Sequence, residues 1–170
     1  MATAPEEHSA AQWAAIVSLL RAQIGSGLLP TVAYVGASID LYTNQTPAIG
    51  VQLQRLKCEQ YSTQKVKVEC DFLVLVAVRS NQVVNGSVIT PPNLDDAMTR
   101  AQAIVADGSG NGVANILRNK ANQSLGGLAS HVFVAGVDYS WEIGRGASGS
   151  DEVWAYALVS VEVKDYISTS

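Results

Sequence analysis

Between Lys65 and Arg79 the chain reads KVKVECDFLVLVAVR, with Val66, Val68, Cys70, Phe72, Val74, Val76 and Val78 at every second position. That is the period of a β-strand, so these side chains project to one face. Lys65, Lys67, Glu69 and Asp71 face the other way, and from Leu73 to Ala77 the second face turns apolar as well. The pattern predicts a strand covered on both sides in its last half, with one face in water or against a polar partner in its first half. At about 3.3 Å per residue it spans on the order of 50 Å, longer than one layer of covering needs, so its polar end is expected to reach out of the domain.

Helical periods flank this strand. Trp13, Ile16, Val17, Leu20 and Ile24 form the stripe of one helical face, with Ser9 as a predicted cap and Gly25, Gly27 and Pro30 ending it. Residues 1–8 are expected to be a flexible tail. A short strand over Val32 to Val35 and a loop around Thr43-Asn44-Gln45 are the readings of an ambiguous stretch, after which Ile49, Val51 and Leu53 alternate again as far as Cys58. Past the long strand, Asn85-Gly86 is a turn signal and Asn93 a good cap. A second helix comes next, with Leu94, Ala97, Met98, Ala101, Ile104 and Val105 on one stripe and Asp95 and Asp96 in its first turn, where the helix dipole favours negative charge. Asp107 to Gly112 is a glycine-rich break, and Val113, Ile116 and Leu117 suggest a short helical piece.

The last third alternates throughout. His131, Phe133, Ala135, Val137, Tyr139 and Trp141 interleave with Val132, Val134, Gly136 and Asp138, and Val153 to Val163 interleave with Trp154, Tyr156, Leu158, Ser160 and Glu162. The linker Gly144 to Asp151 makes these a long hairpin. The pattern predicts a single α+β domain over residues 1–170. It has a mostly antiparallel sheet of about four to five strands, with a long central strand and a long C-terminal hairpin, covered by two amphipathic helices.

A turn over Glu59 to Thr63 makes the first two long strands a hairpin, and parity fixes which residues share a face. Ile49, Val51 and Leu53 then meet partners such as Val74, Phe72 and Cys70, which places Cys58 near Lys65 and about 17 Å from Cys70. Both thiols are expected to be free.

Composition narrows the partners. Apolar residues make up 48% of the chain and charged residues only 15%, which leaves weakly polar surface available for contacts between subunits. A net charge of -4 with scattered basic residues argues against sequence-independent binding of nucleic acid, which needs clustered Lys and Arg to displace counterions. No basic segment followed by an apolar run opens the chain, and no apolar segment approaches the roughly 20 residues of a membrane span. A reducing compartment and no membrane are expected.

Chemical motifs fare poorly. Gly144 to Gly149 matches GxGxxG, but the residues after it have the period of a strand where a dinucleotide site needs a helix N-terminus. Asp107, Ser109, Asn111 and Gly112 fit the first positions of a calcium loop whose last ligand would be Arg118, so a glycine-rich turn is the better reading. His131 near Asp138 lacks a serine presented on an elbow, and His8 falls in the expected tail. Glu69 and Asp71, at i and i+2, have the pattern of an exposed or interface strand face. No catalytic residue, metal or cofactor is expected. Tyr139 and Trp141, with Trp154 and Tyr156, form an aromatic patch if both rows share the face opposite the valines. A second core face under a helix and a subunit interface are then both open readings.

The order of elements carries a resemblance. An amphipathic helix ending in Leu28-Leu29-Pro30, a strand entered through Pro47-Ala48-Ile49-Gly50-Val51, and a long strand closing in Val74 to Arg79 come first. A helix begun by Leu94-Asp95-Asp96-Ala97 and a closing strand over Trp154 to Val159 complete the layout, which resembles the tail terminator (tail-completion) proteins of tailed bacteriophages. The resemblance implies a structural virion protein, not an enzyme, that is assembled in the host cytoplasm and located in the tail or neck. It would form a homo-oligomeric, hexameric ring on the tail tube protein, stop tube polymerisation and dock the head-tail connector or stopper, with a sheath protein as a further partner if the tail is contractile. DNA would meet the ring only in transit. Tyr139, Trp141, Trp154 and Tyr156 are then expected at an interface, and Glu69, Asp71 and Glu162 on the lumen side. A head-tail joining protein is the neighbouring alternative. From another class, the alternative is a small-ligand-binding or enzymatic α+β domain using a pocket between helix and sheet.

Overall fold

A computed structural model describes residues 4–25, 27–37, 46–80, 83–84, 87–88, 94–145 and 151–168. The architecture is α+β. The short strand β1 Tyr34–Gly36 and the long strands β2 Ala48–Ser62, β3 Lys65–Arg79, β6 His131–Arg145 and β7 Asp151–Ser168 form one mixed sheet in the order β1-β2-β3-β7-β6. Only β1 runs parallel to its neighbour, so the sheet is mostly antiparallel as expected. A separate small hairpin pairs β4 Val83–Val84 with β5 Ser87–Val88, on either side of the expected turn. Asn85-Gly86, Asn93, the loop around Thr43-Asn44-Gln45 and most of the Gly144 to Asp151 linker lie outside the described residues.

Three helices cover the sheet where two were expected. Buried residues of α1 Pro5–Arg21, α2 Leu94–Val105 and α3 Val113–Arg118 join one core with the even positions of β3 and the odd positions of β7. Along the sheet, α1 packs against β1 and β2, α2 against β3 and β7, and α3 against β6. The largest apolar side chains in this core, from Phe72 and Ile16 to Leu117, are branched or aromatic and exclude water without needing polar partners. The other face of the sheet was expected to be covered around Leu73 to Ala77; Leu73 and Leu75 are half-buried there, and Ala77 is buried.

The first helix starts earlier than its predicted cap. Pro5 occupies the first turn, where a missing N–H costs nothing, and Glu6 and Glu7 come next where the dipole favours them. Ser9 lies inside the helix, its Oγ donating to the Glu6 carbonyl. The expected tail of residues 1–8 is therefore helical from Pro5 onward, and His8 is buried. Its Nε2 stands 2.9 Å from Oδ2 of Asp165, a residue that pairs with Val68 across the sheet. This extra turn of helix over the polar end of β3 explains a second departure. The strand does not reach out of the domain, because Val68 and Cys70 are fully buried. The exposed length belongs instead to β2, from Gln52 to Ser62.

Two bulges within the strands, besides an irregularity between Gln60 and Ser62 beside the turn, set the register. One between Leu53 and Arg55 brings Leu56 opposite Cys70 and Cys58 opposite Val68. The cysteines are thus diagonal neighbours on one face, much closer than the 17 Å expected, and they remain free thiols. The predicted parity holds, with Ile49, Val51 and Leu53 opposite Val76, Val74 and Phe72. The second bulge, between Val134 and Gly136, reverses which side chains of β6 face the helices.

Candidate functional site

The β6 bulge divides the expected aromatic patch. Val132 and Val134 pair with Val163 and Val161 of the helix-covered face; after the bulge, Tyr139 and Trp141 pair with Ala157 and Ala155 of that same face. Trp154 and Tyr156 point to the opposite side. One extra residue is enough to exchange the faces, since side chains along a strand alternate strictly. Gly136, a residue that often marks a bulge inside a strand, is the signal in the sequence that could have revealed it.

The two pairs also differ in what they touch. Trp154 is buried, stacked on Tyr156 at 6.4 Å between centroids, with the Arg79 guanidinium 5.9 Å above its ring. The Tyr156 hydroxyl donates to Oε1 of Glu142 at 2.7 Å, and burial together with that carboxylate pushes the phenol pKa upward. These contacts already employ both side chains within the subunit. Tyr139 and Trp141 remain on the surface with Ile143, at 43%, 53% and 63% exposure, along the free edge of the sheet. Here lies the part of the predicted patch that is open to a partner.

The predicted lumen residues do come together. Asp71 stands opposite Glu162 and Glu69 opposite Lys164, all on the face away from the helices. They are embedded in a ladder of cations. Arg55 Nε lies 2.6 Å from Asp71 Oδ2, Lys67 Nζ lies 2.6 Å from Glu69 Oε1, and Lys164 Nζ reaches Glu162 at 3.6 Å and Glu69 at 3.9 Å. Lys57 spans Glu59 at 2.7 Å and Glu69 at 3.8 Å. The Lys67 ammonium bonded to Glu69 holds that carboxyl below its ordinary range against the opposing effect of burial, and the same contact raises Lys67. This surface is charged but balanced, which suits a face that meets alternating charges better than one that grips phosphates.

The second open feature is the outer edge of β2. β1 pairs with β2 only at Ala48 to Gly50, so beyond Val51 that edge has no strand partner among the described residues. The Trp13 indole donates to the Val51 carbonyl at 2.8 Å, satisfying the group next to the end of the pairing. Beyond it an open groove of about 670 Å³ runs between α1 and β2, lined mainly by Ala10, Trp13, Leu53 and Leu56, with Glu6 at its polar rim. Sequence reasoning missed this groove, because it requires knowing that β1 is too short to cover β2.

The weaker motifs resolve into structure. Asp107 accepts from the backbone N–H groups of Ser109 and Asn111 through Oδ1, and from the Asn111 amide through Oδ2, which lowers its pKa to about 2. The carboxylate ties its own loop together. His131 is exposed and stacked with Phe133. It lies at the opposite end of β6 from the residues beyond the bulge, on the order of 20 Å from Asp138 at strand rise. Past the GxGxxG letters the chain enters β7, a strand. No cluster of metal-binding side chains occurs among the described residues, and no helix there is long and apolar enough to cross a membrane. No protein-family model matches the chain, and a search of curated proteins finds no similar sequence.

Proposed function

We propose that this chain is a structural protein of a bacteriophage tail or neck, of the tail terminator kind. A ring of copies would close the end of the tail tube, stop its growth and present a docking surface to the head connector. The observation that supports this most directly is where the resembling segments fall in the fold. Pro47 to Val51 opens β2, Val74 to Arg79 closes β3, Leu94 opens α2, and Trp154 to Val159 lies in β7 between β3 and β6. The layout is thus one sheet with helices on a single face, leaving the charged face and both sheet edges for other molecules. Binding, rather than catalysis, is the work of such a surface, and DNA passing a charge-balanced face would not be held.

The test is sedimentation of the purified protein alone and with assembled tail tubes, followed by electron microscopy of tube lengths when it is present during polymerisation. Rings of six copies, capped tubes and a narrowed length distribution are the expected results. A protein that remains monomeric at high concentration and neither binds tubes nor limits their length overturns the proposal.

A further inference from the structure

We propose that copies of this chain join edge to edge, the outer edge of β2 in one copy adding to the free edge of β6 in the next, so that the sheet continues across the boundary. The inference rests on the ring-forming half of the reading above and not on its assignment to a phage tail. β6 on one side, and β2 beyond Val51 on the other, lack a strand partner among the described residues. An unpaired edge presents backbone donors and acceptors that another strand can satisfy.

The two edges are complementary on both faces. On the helix side, β2 offers the mainly apolar groove formed by Trp13, Leu53 and Leu56, which is open among the described residues. On that same side β6 carries Tyr139, Trp141 and Ile143, large apolar side chains left in water. On the opposite side β2 presents Arg55, Lys57 and Glu59, the two cations already paired with carboxylates of their own copy, while β6 presents Asp138 and Glu142, the latter accepting from Tyr156. Apolar meets apolar on one side, and on the other Lys57, now shared between Glu59 and Glu69, gains Asp138 as a further partner.

Direction agrees as well. β2 and β7 run one way and β3 and β6 the other, so a neighbour related by rotation about an axis along the strands brings its β2 antiparallel to β6 and keeps all helices on one side. Placing Leu56 beside Tyr139 puts Lys57 beside Asp138. Within one copy Leu56 lies level with Val132, through Cys70 and Val163, so successive copies are stepped along the strands by about 20 Å at strand rise. Across four strands spaced about 4.8 Å apart, a strand tilt of about 45° absorbs that step, at the upper end of the tilts found in closed barrels. Such a join is heterologous, and repetition closes a ring when the rotation allows it.

Cysteine cross-linking tests it. In a Cys58→Ser, Cys70→Ala background, which removes the native thiol opposite position 56, a chain carrying both Leu56→Cys and Tyr139→Cys is oxidised mildly and resolved without reductant. Most of the chain is expected to shift into a ladder of covalent oligomers ending at the ring, whereas each single substitution alone gives no ladder. Mixing the two single variants should give dimers only. As a second measurement, Lys57→Glu and Asp138→Lys should each reduce the assembled fraction, and the two together should restore it. Cross-linking by Tyr139→Cys alone would mean β6 pairs with itself, which overturns the proposal. Oligomers of unchanged mass with no cross-link from the double variant also overturn this join while leaving the ring reading intact. A chain that is monomeric under all conditions overturns both.

Discussion

β2 and β3 are neighbours of equal length, fifteen residues each, and share one hairpin, yet one is a wall of the core and the other is largely surface. β3 has β2 on one side, β7 along its whole length on the other, and helices above it, so its even positions are sealed from Val68 to Val78. β2 has only three residues of β1 on its outer side and is exposed beyond Val51. The burial of a strand is therefore decided by what borders it, more than by its own propensity. In this chain the stable half of the hairpin holds the fold, and the other half is left available for contact.

The sharpest way to break that contrast is to remove the same kind of side chain from each strand. Phe72→Ala should cost about 3–5 kcal/mol in denaturant unfolding, through lost burial and the cavity left behind. Leu53→Ala, on the exposed strand, should cost about 0.5 kcal/mol or less. Comparable losses from both would mean that β2 is as deeply packed as β3.

Next in size is the anchor that lets α1 seal the polar end of β3. Asp165→Ala removes the partner of His8 and of the Ser130 hydroxyl, which donates to Asp165 at 2.7 Å. A loss of about 1.5–3 kcal/mol is expected for a hydrogen bond to a charged group. Hydrogen exchange should rise at Val68 and in the first turns of α1 before it rises in the centre of β3. Uniform acceleration would show that the helix start does not protect that end.

A smaller effect is expected where the two strands share charge. Replacing Glu69 and Asp71 by lysine puts new cations among Arg55, Lys57, Lys67 and Lys164, so the variant should be less stable than the wild type at low salt and recover as salt screens the repulsion. A loss that ignores salt would point to packing instead. Acid adds a comparison outside the hairpin, in the Asp107 loop. That carboxyl has a folded-state pKa of about 2, below the ordinary 3.8, so its stabilising contribution is complete above the ordinary value and disappears as pH falls through 2. Asp107→Asn should flatten the fall in stability across that window, measured by thermal unfolding at several pH values.

The least perturbing test reads the contrast without altering stability at all. Cys58, exposed on β2, should react with a thiol reagent in the native protein. Cys70, buried on β3 with its pKa pushed up to about 11 by burial, should react only on unfolding. Two equally fast thiols would contradict the assigned burial.

The contrast also marks what could be read from the residues. The alternation of β3 is unbroken by glycine or proline, and both its strand and its buried face follow from period alone. The stripe of α2 and most of that of α1 were legible too, since their apolar spacing matches the turn of a helix, but Ile24 lies past the end of α1 at Arg21. The beginning of α1 could have been found from Pro5 followed by Glu6 and Glu7, a pattern of a helix start that Ser9 obscured. Bulges are harder. Nothing at Gln54 announces one, and Gly136 only hints at the other, yet each shifts every later pairing. The faces of Tyr139 and Trp141 were lost for that reason; the distance between the thiols was lost mainly because β2 pairs two residues further along β3 than parity alone can decide, the bulge adding one more. The parallel pairing of β1 and the groove beside β2 depend on contacts between distant segments, which a local period cannot encode.

The position of β7 has a consequence for synthesis. It lies between β3 and β6 in the sheet but comes after both in the chain, so the hairpin of β2 and β3 leaves the ribosome with one edge of β3 bare. Roughly seventy residues separate the end of β3 from the start of β7, and at about 5–20 residues per second the wait is on the order of 4–14 s. During that interval the valine-rich edge is exposed to any other nascent chain. Lys65, Lys67, Glu69 and Asp71 charge one half of the waiting strand, and charged side chains on an open edge discourage pairing with strangers. The ladder that later joins β2, β3 and β7 would thus serve first as a chaperone written into the strand itself.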